Sequence, residues 1–292
     1  MTSFTNIPEL SLNDGTNIPQ LGFGVYQIEP SNTINVVSEA LSKGYRHVDT
    51  SMAYANEAEV GTAIRSINEH VYVSTKYFNA DDRKHGYEDA KAAFDASYKA
   101  LGLEYINLYL IHWPMLEKEL YVDAWKAFIE LRGNGRVRSI GVSNFSAGHL
   151  KRIIEETGVT PAVNQVEVHP YFQQDELRKV HAELGIVTEA WSPLAGGKAI
   201  DDKVLIEIGK NHNKSASQVI LRWHIQLGNV IIPKSVTPKR IEENYNIFDF
   251  SLSDEEMLEI KKLDRGERTG PDPSTFVFPR DYRGKAHSNV GA

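Results

Sequence analysis

Along the chain, short apolar runs rich in β-branched and aromatic residues alternate with longer windows whose apolar positions recur every three or four residues. The β-rich runs start at Leu21, Tyr45, Val71, Ile106, Val137, Ala162, Ile186 and Val230, which predicts eight strands. Helical periodicity covers Asn32 to Lys43, Asn56 to Ile67, Glu88 to Leu101, Val122 to Arg132, Ala147 to Thr157, Asp175 to Leu184 and Ser215 to Leu227. Glycine follows most of these windows, at Gly44, Gly102, Gly133, Gly158, Gly185 and Gly228, where a left-handed residue would stop the helix. Ahead of the first strand, Leu10 to Leu21 reads as a hairpin turning at Asp14 and Gly15, placed to plug a barrel bottom. After the last strand, IPKSVTPKRIEENYNIF and SLSDEEMLEIKKL read as two further helices.

Eight alternations with short connections predict an α/β fold of the closed (β/α)8 TIM barrel kind. The competing open doubly wound sheet would show a glycine-rich phosphate turn after its first strand. Gly22 and Gly24 in LGFGV sit inside the first strand, and no third glycine completes a dinucleotide fingerprint. Barrels use a length of 292 residues as one domain, so residues 1–292 are expected to form a single unit. Its tail, from about 266 to 292, is rich in proline and glycine.

Composition narrows the partners. Apolar residues make up 41% and charged residues 24%, close to globular averages, so neither disorder nor a fibrous class is indicated. A net charge of -7 argues against a nucleic-acid-binding surface. With no cysteine, disulfides, thiolate metal sites and thiol nucleophiles are excluded. No stretch approaches the ~18 apolar residues of a membrane helix, and MTSFTNIPEL has no signal-peptide pattern. The expectation is a cytoplasmic monomer with no membrane and no nucleic-acid partner.

The chemistry gathers at strand ends, which in a parallel barrel share one mouth. YRHVDTSMAY places Asp49 and Tyr54 just after the second strand, Lys76 ends VYVSTK, and His112 ends INLYLIH. A lysine beside a tyrosine favours the phenolate, so the phenol of Tyr54 suits a general acid. Asp49 would anchor the ammonium, and His112 would donate a hydrogen bond to a substrate oxygen and orient it. The set describes protonation of a carbonyl. Further along, Ser143 and Asn144 in IGVSNF and Gln165 in AVNQVEVHP offer groups that suit a carboxamide, while Trp191 in EAWSPL offers a flat face for a planar ring. At IPKS, Lys234 and Ser235 leave the eighth strand, and Thr237, Lys239 and Arg240 open a helix. That placement favours an anion such as phosphate.

These stretches, from LGFGVYQ through GYRHVDTSMAYANEAEVG, STK, LIHWP, IGVSNF, NQVEVHP and WSPL to IPKSVTPKRIEEN, stand in the order of the aldo-keto reductases. The chain resembles that family from Ile7 to Asp264, and looks most similar to its bacterial 2,5-diketo-D-gluconic acid reductase branch. The resemblance implies a barrel that binds NADPH without a Rossmann domain and reduces aldehydes or ketones to alcohols. It implies Tyr54 as proton donor tuned by Lys76 and Asp49, with His112 orienting the carbonyl. It further implies that Ser143, Asn144 and Gln165 hold the nicotinamide carboxamide and that Trp191 stacks under the ring. The loop Leu194, Ala195, Gly196, Gly197 and Lys198 would cover the pyrophosphate. Lys234, Ser235, Thr237 and Arg240 would hold the adenosine 2'-phosphate, and Glu243 and Asn244 the adenine. Positive charge at the phosphate end favours NADP over NAD, with NADH as a weaker alternative.

Tyr26, Phe78 and Trp113 each follow a strand near the catalytic groups and are expected to wall the substrate pocket. Family members often carry tryptophan where this chain has Phe78, so the pocket is expected to differ in shape. Phe276 and Phe278 would belong to the substrate loop. Two other classes compete with this reading. His47, Asp49, His112 and His169 can be drawn as ligands of a hydrolytic metal, but that leaves the phosphate and carboxamide residues unexplained. A non-catalytic NADPH sensor on the same fold would show a broken tetrad, and here all four members are present.

Overall fold

The structure is a computed structural model, and it describes residues 7–78, 86–115 and 120–276. A hairpin of β1 (Glu9–Ser11) and β2 (Asn17–Pro19) precedes the barrel strands. These are β3 (Phe23–Gly24), β4 (His47–Asp49), β5 (Tyr72–Tyr77), β6 (Ile106–Ile111), β7 (Val137–Ser143), β8 (Val163–Glu167), β9 (Val187–Trp191) and β10 (Val230–Ile231). They pair in parallel, each with its sequence neighbour, from β3 to β10. The ring closes where Leu21 bridges Ile231 in parallel, with Gly22 N donating to Ile231 O at 2.8 Å and Ile231 N donating to Gln20 O at 2.9 Å. The predicted barrel is therefore present, and β3 carries a shorter ladder than the sequence run suggests.

The helices follow the predicted windows closely: α1 (Pro30–Ser42), α2 (Glu57–Arg65), α3 (Tyr87–Leu101), α4 (Tyr121–Gly133), α5 (Ala147–Thr157) and α6 (Asp175–Leu184). Then come α7 (Lys203–His212), α8 (Ala216–Gln226), α9 (Pro238–Tyr245) and α10 (Asp254–Lys261). Two expectations are corrected. The window Lys203–His212 had no predicted helix, yet Asp202 caps one there by accepting from Val204 N at 2.9 Å. Gly133 was expected to stop α4 in the left-handed region, but it is the last helical residue, and Gly135 takes that conformation with φ 76°.

Strands buried on both faces divide their side chains between two cores, because successive residues point to opposite sides. Outward-facing Tyr109 of β6 stacks on Phe128 of α4 at 4.5 Å and meets Phe94 of α3 edge-on at 5.1 Å. Burying one such ring contributes roughly 1.5–3 kcal/mol. Inward-facing Tyr72, Leu108, Leu110, Val163 and Val230 form a second cluster with Leu12 and Ile18 of the hairpin. The hairpin does plug the barrel bottom, and its turn is fastened there by the Thr16 and Ser139 hydroxyls, 2.7 Å apart, and by Asn13 donating to Pro161 O at 2.9 Å.

Candidate active site

The inward period of two continues upward and becomes polar. Above Tyr72 on β5 come Ser74, then Lys76, then Phe78; above His47 on β4 comes Asp49; above Val163 on β8 come Gln165 and Glu167; Glu189 and Trp191 follow on β9. At the centre, Lys76 is fully buried. Its ammonium donates to Asp49 Oδ1 at 2.6 Å and to Thr50 O at 2.8 Å. The other oxygen of Asp49 accepts from Ser74 at 2.8 Å and from Gln165 Nε2 at 3.0 Å. A buried charge pair is tolerable only when hydrogen bonds satisfy it in this way.

Tyr54 reaches the pair from a short 3-10 turn, Met52–Tyr54, whose N-cap Ser51 accepts from Ala53 N at 3.2 Å. Asn56 anchors the turn from below: it accepts from Thr50 at 2.9 Å and donates to Val25 O and Ile28 O at 3.1 and 3.3 Å. The Tyr54 ring lies 5.2 Å from the Lys76 ammonium and 5.9 Å, nearly perpendicular, from the His112 ring. All four expected catalytic residues thus converge. Burial, helped by the Lys76 charge, holds the His112 pKa well below its usual value, so its imidazole is neutral. Ser51 Oγ lies 3.2 Å from His112 Nδ1 and 3.5 Å from Lys76 O; when its proton goes to Nδ1, the ring proton sits on Nε2.

The expected walls also gather. Tyr26 packs on Tyr54 at 5.1 Å, Phe78 faces His112 at 6.3 Å, and Trp113 packs on Phe276 at 5.2 Å. Phe278 lies outside the described residues.

Amide partners fix which atoms remain to meet a ligand. Gln165 Nε2 donates to Asp49 and, also at 3.0 Å, to Glu189 Oε2, so its carbonyl oxygen is left as an acceptor. Asn144, at φ 65°, donates to His112 O at 3.0 Å and Ser143 Oγ at 3.1 Å, while its Oδ1 accepts from Trp191 Nε1 at 2.9 Å. Ser143 donates to Gln165 O at 2.8 Å. Acceptors therefore dominate this cradle, which suits the N–H groups of a carboxamide.

The phosphate end lies at the same mouth. Ser235 caps the turn into α9 by accepting from Thr237 N at 3.1 Å, and Lys234, Thr237 and Arg240 are exposed around that helix start. Ala195, Gly196 and Gly197 after β9 have φ of 54°, 61° and 91°, Leu194 leads into them, and Gly196 is exposed. Glu243 accepts from the hydroxyl of Ser215, and Asn244 is buried in α9. His47 hydrogen-bonds Ser74 at 3.1 Å and His169 hydrogen-bonds Glu167 at 3.0 Å; among the described residues no three His, Cys, Asp or Glu side chains form a metal-holding group.

Sequence reading missed Ser51, Asn56, Ser74 and Glu189. Stepping back two residues from Lys76 and Trp191 along their strands would have found Ser74 and Glu189. Burial and the neighbouring Asp49 push the Glu189 carboxyl up to about 8, and burial pushes His47 down to about 4.

Comparison with known proteins bears on this geometry. The profile of the Aldo/keto reductase family matches residues 19–265. An aldo-keto reductase of Mycolicibacterium smegmatis is 53% identical over 274 residues, covering 93% of this chain and 98% of that protein. Methylglyoxal reductase DkgA of Escherichia coli K12 is 48% identical over 272 residues, covering 91% and 97%. A substituted form of Gox0644, solved in complex with NADPH, superposes with a TM-score of 0.90 at 43% identity, covering 94% of this chain and 100% of that one. Among the described residues no helix is long and apolar enough to cross a membrane. The eight-stranded barrel, the buried polar centre and these matches together make this chain a member of the aldo/keto reductase family of oxidoreductases.

Proposed function

We propose that the protein reduces small aldehydes and ketones to alcohols with NADPH, Tyr54 giving the proton, as one barrel domain spanning residues 1–292. The observation that carries this reading is the contact of Tyr54 with both a buried Asp49–Lys76 pair and a neutral His112. The residues fit the cofactor: an acceptor cradle at Asn144 and Gln165, an indole face at Trp191, a glycine turn at Gly196, and an exposed cationic helix start at Lys234 and Arg240. When bound, the reduced nicotinamide supplies the hydride.

The chain's own groups do the rest. His112 Nε2–H hydrogen-bonds the carbonyl oxygen and orients it between the aromatic walls. As negative charge develops on that oxygen, Tyr54 donates its proton, and the Lys76 ammonium favours the phenolate left behind. Asp49 keeps Lys76 beneath the ring. Ser143, Asn144 and Gln165 hold the carboxamide, Leu194 and Gly196 approach the pyrophosphate, and Ser235, Thr237 and Arg240 hold the 2'-phosphate beside Lys234. Glu243 and Asn244 flank the adenine.

Methylglyoxal, from the name of the Escherichia coli relative, and 2,5-diketo-D-gluconate, from the resemblance of the sequence to that reductase branch, are the substrates to try first. Loss of NADPH absorbance should follow with at least one of them, and Tyr54→Phe should remove turnover while NADPH still binds. A chain that binds NADPH and reduces no carbonyl would overturn the reading.

A further inference from the structure

Glu167, at the end of β8, is only 1% exposed, and none of the roles above employs it. Its Oε1 collects four donors: His169 Nε2 at 3.0 Å, the Thr269 N–H at 2.6 Å, the Thr269 hydroxyl at 2.7 Å and the Gly270 N–H at 3.1 Å. Arg268 Nη1 stands 3.6 Å from Oε2. Burial alone would raise the carboxyl pKa, but the bonds from His169, Thr269 and Gly270 outweigh it and hold the group below the usual range, as an anion.

The segment tied by this carboxylate is laced to the turn after β8 along its length. Arg265 N and Glu267 N both donate to Tyr171 O at 3.1 Å, and Gln173 N donates to Asp264 Oδ1 at 3.3 Å. The Arg265 guanidinium lies 3.9 Å above the Tyr171 ring, and that of Arg268 4.3 Å above Phe172. The strap then brings Gly270 against the outer edge of Trp191, the register partner of Glu167. A Cβ on Gly270 would lie 2.8 Å from Cζ3 of the indole, and closer still to Cη2. The opposite edge of the indole is bonded to Asn144.

We propose that Glu167 is the positioning residue for Trp191: by fastening Thr269 and Gly270 it makes the Gly270 backbone the stop that sets the plane of the indole. This rests on the stacking role given to Trp191. An indole held at both edges presents a face of fixed tilt, so the ring lying on it is held at a fixed angle to Tyr54 and His112. Loosening Glu167 frees one edge, and a side chain at Gly270 pushes that edge away.

The test compares the full chain with E167Q, G270A, W191A and the E167Q/W191A double variant. Melting temperature, NADPH dissociation constant, kcat and KM for methylglyoxal, and the primary deuterium isotope effect with C4-deuterated NADPH are measured. E167Q and G270A should each lower kcat by about tenfold and enlarge the isotope effect, since small misplacements slow the chemical step, with less change in the carbonyl KM. In the W191A background E167Q should change neither kcat nor isotope effect. An E167Q effect of equal size with and without the indole overturns the proposal, because Glu167 then acts on the fold alone. G270A matching the parent in kcat overturns it even if E167Q does not fold. W191A matching the parent in NADPH affinity and turnover overturns the stacking role itself, a distinct failure.

Discussion

Gln165 stands 3.0 Å from Glu189 Oε2 and, through the same nitrogen, 3.0 Å from Asp49 Oδ2, so one amide separates two buried carboxyl groups near a single lysine. Glu189 Oε1 has no hydrogen-bond partner among the described residues and lies 3.8 Å from His47 Nε2. The charges facing Glu189 are those of Asp49 on β4 and Lys76 on β5; the neutral His47 ring stands beside it, and the Tyr72 phenol is close enough to feel it. One lysine balances one carboxylate, and Glu189 is held as the neutral acid.

From this follows a pH dependence. The Glu189 pKa is raised to about 8 in the fold, so the folded state keeps a proton that the unfolded chain releases near 4.5. Its contribution to stability is full below about 4.5 and is lost as pH rises through about 8. E189Q should therefore be more stable than the parent at about pH 9 and lose that advantage toward about pH 5. Urea unfolding at the two pH values checks this, and a difference independent of pH rejects it.

Removing the cation is a harsher change. Lys76→Met leaves Asp49 buried with its charge uncompensated, which should cost about 3–5 kcal/mol and all detectable turnover. Adding Asp49→Asn to it should restore much of the stability and none of the activity. Denaturant midpoints of the single and double variants test the pairing, which fails if the second change gives no recovery.

Acid acts through the buried histidines. Burial lowers His47 and His181 to about 4 and His224 to about 3, against 6.5 unfolded. The unfolded chain takes up protons first, so stability falls as pH drops from about 6.5 toward about 4. The loss is on the order of 1 kcal/mol per histidine per pH unit. His181→Gln, which keeps a partner for Asn164 or Thr188, should shallow that slope. A denaturation midpoint as high at about pH 5 as at about pH 7.5 would sink this account.

Far from the mouth, Ile18 is fully buried in the floor cluster. Ile18→Ala should remove about 2–4 kcal/mol of stability by leaving a cavity, with kcat and KM unchanged. A shift in KM would show that the floor communicates with the site.

The sequence exposed most of this site because strand ends are local signals: Asp49, Lys76, His112 and Trp191 stand at or next to the ends of β4, β5, β6 and β9. Elements that depend on contacts distant in sequence were hidden. DDKVLIEIGKNH carried no predicted helix, and α7 runs through its Gly209. A Cβ there would lie 2.5 Å from Lys214 O, so the glycine is required by close packing and not by a turn. Gly133 misled in the opposite sense, as a terminator in a helix that ends two residues before the left-handed Gly135. Nothing local in VEVHP or RTGP announces that Glu167 and Thr269 meet across 102 positions.

The stoppered floor has a kinetic meaning. With Ile18 and Leu12 filling the lower end, the described residues close the barrel from below, and the candidate site faces the other end of the strands. For two ligands stacked at that mouth, the deeper one is expected to leave last, an order that product-inhibition kinetics would read.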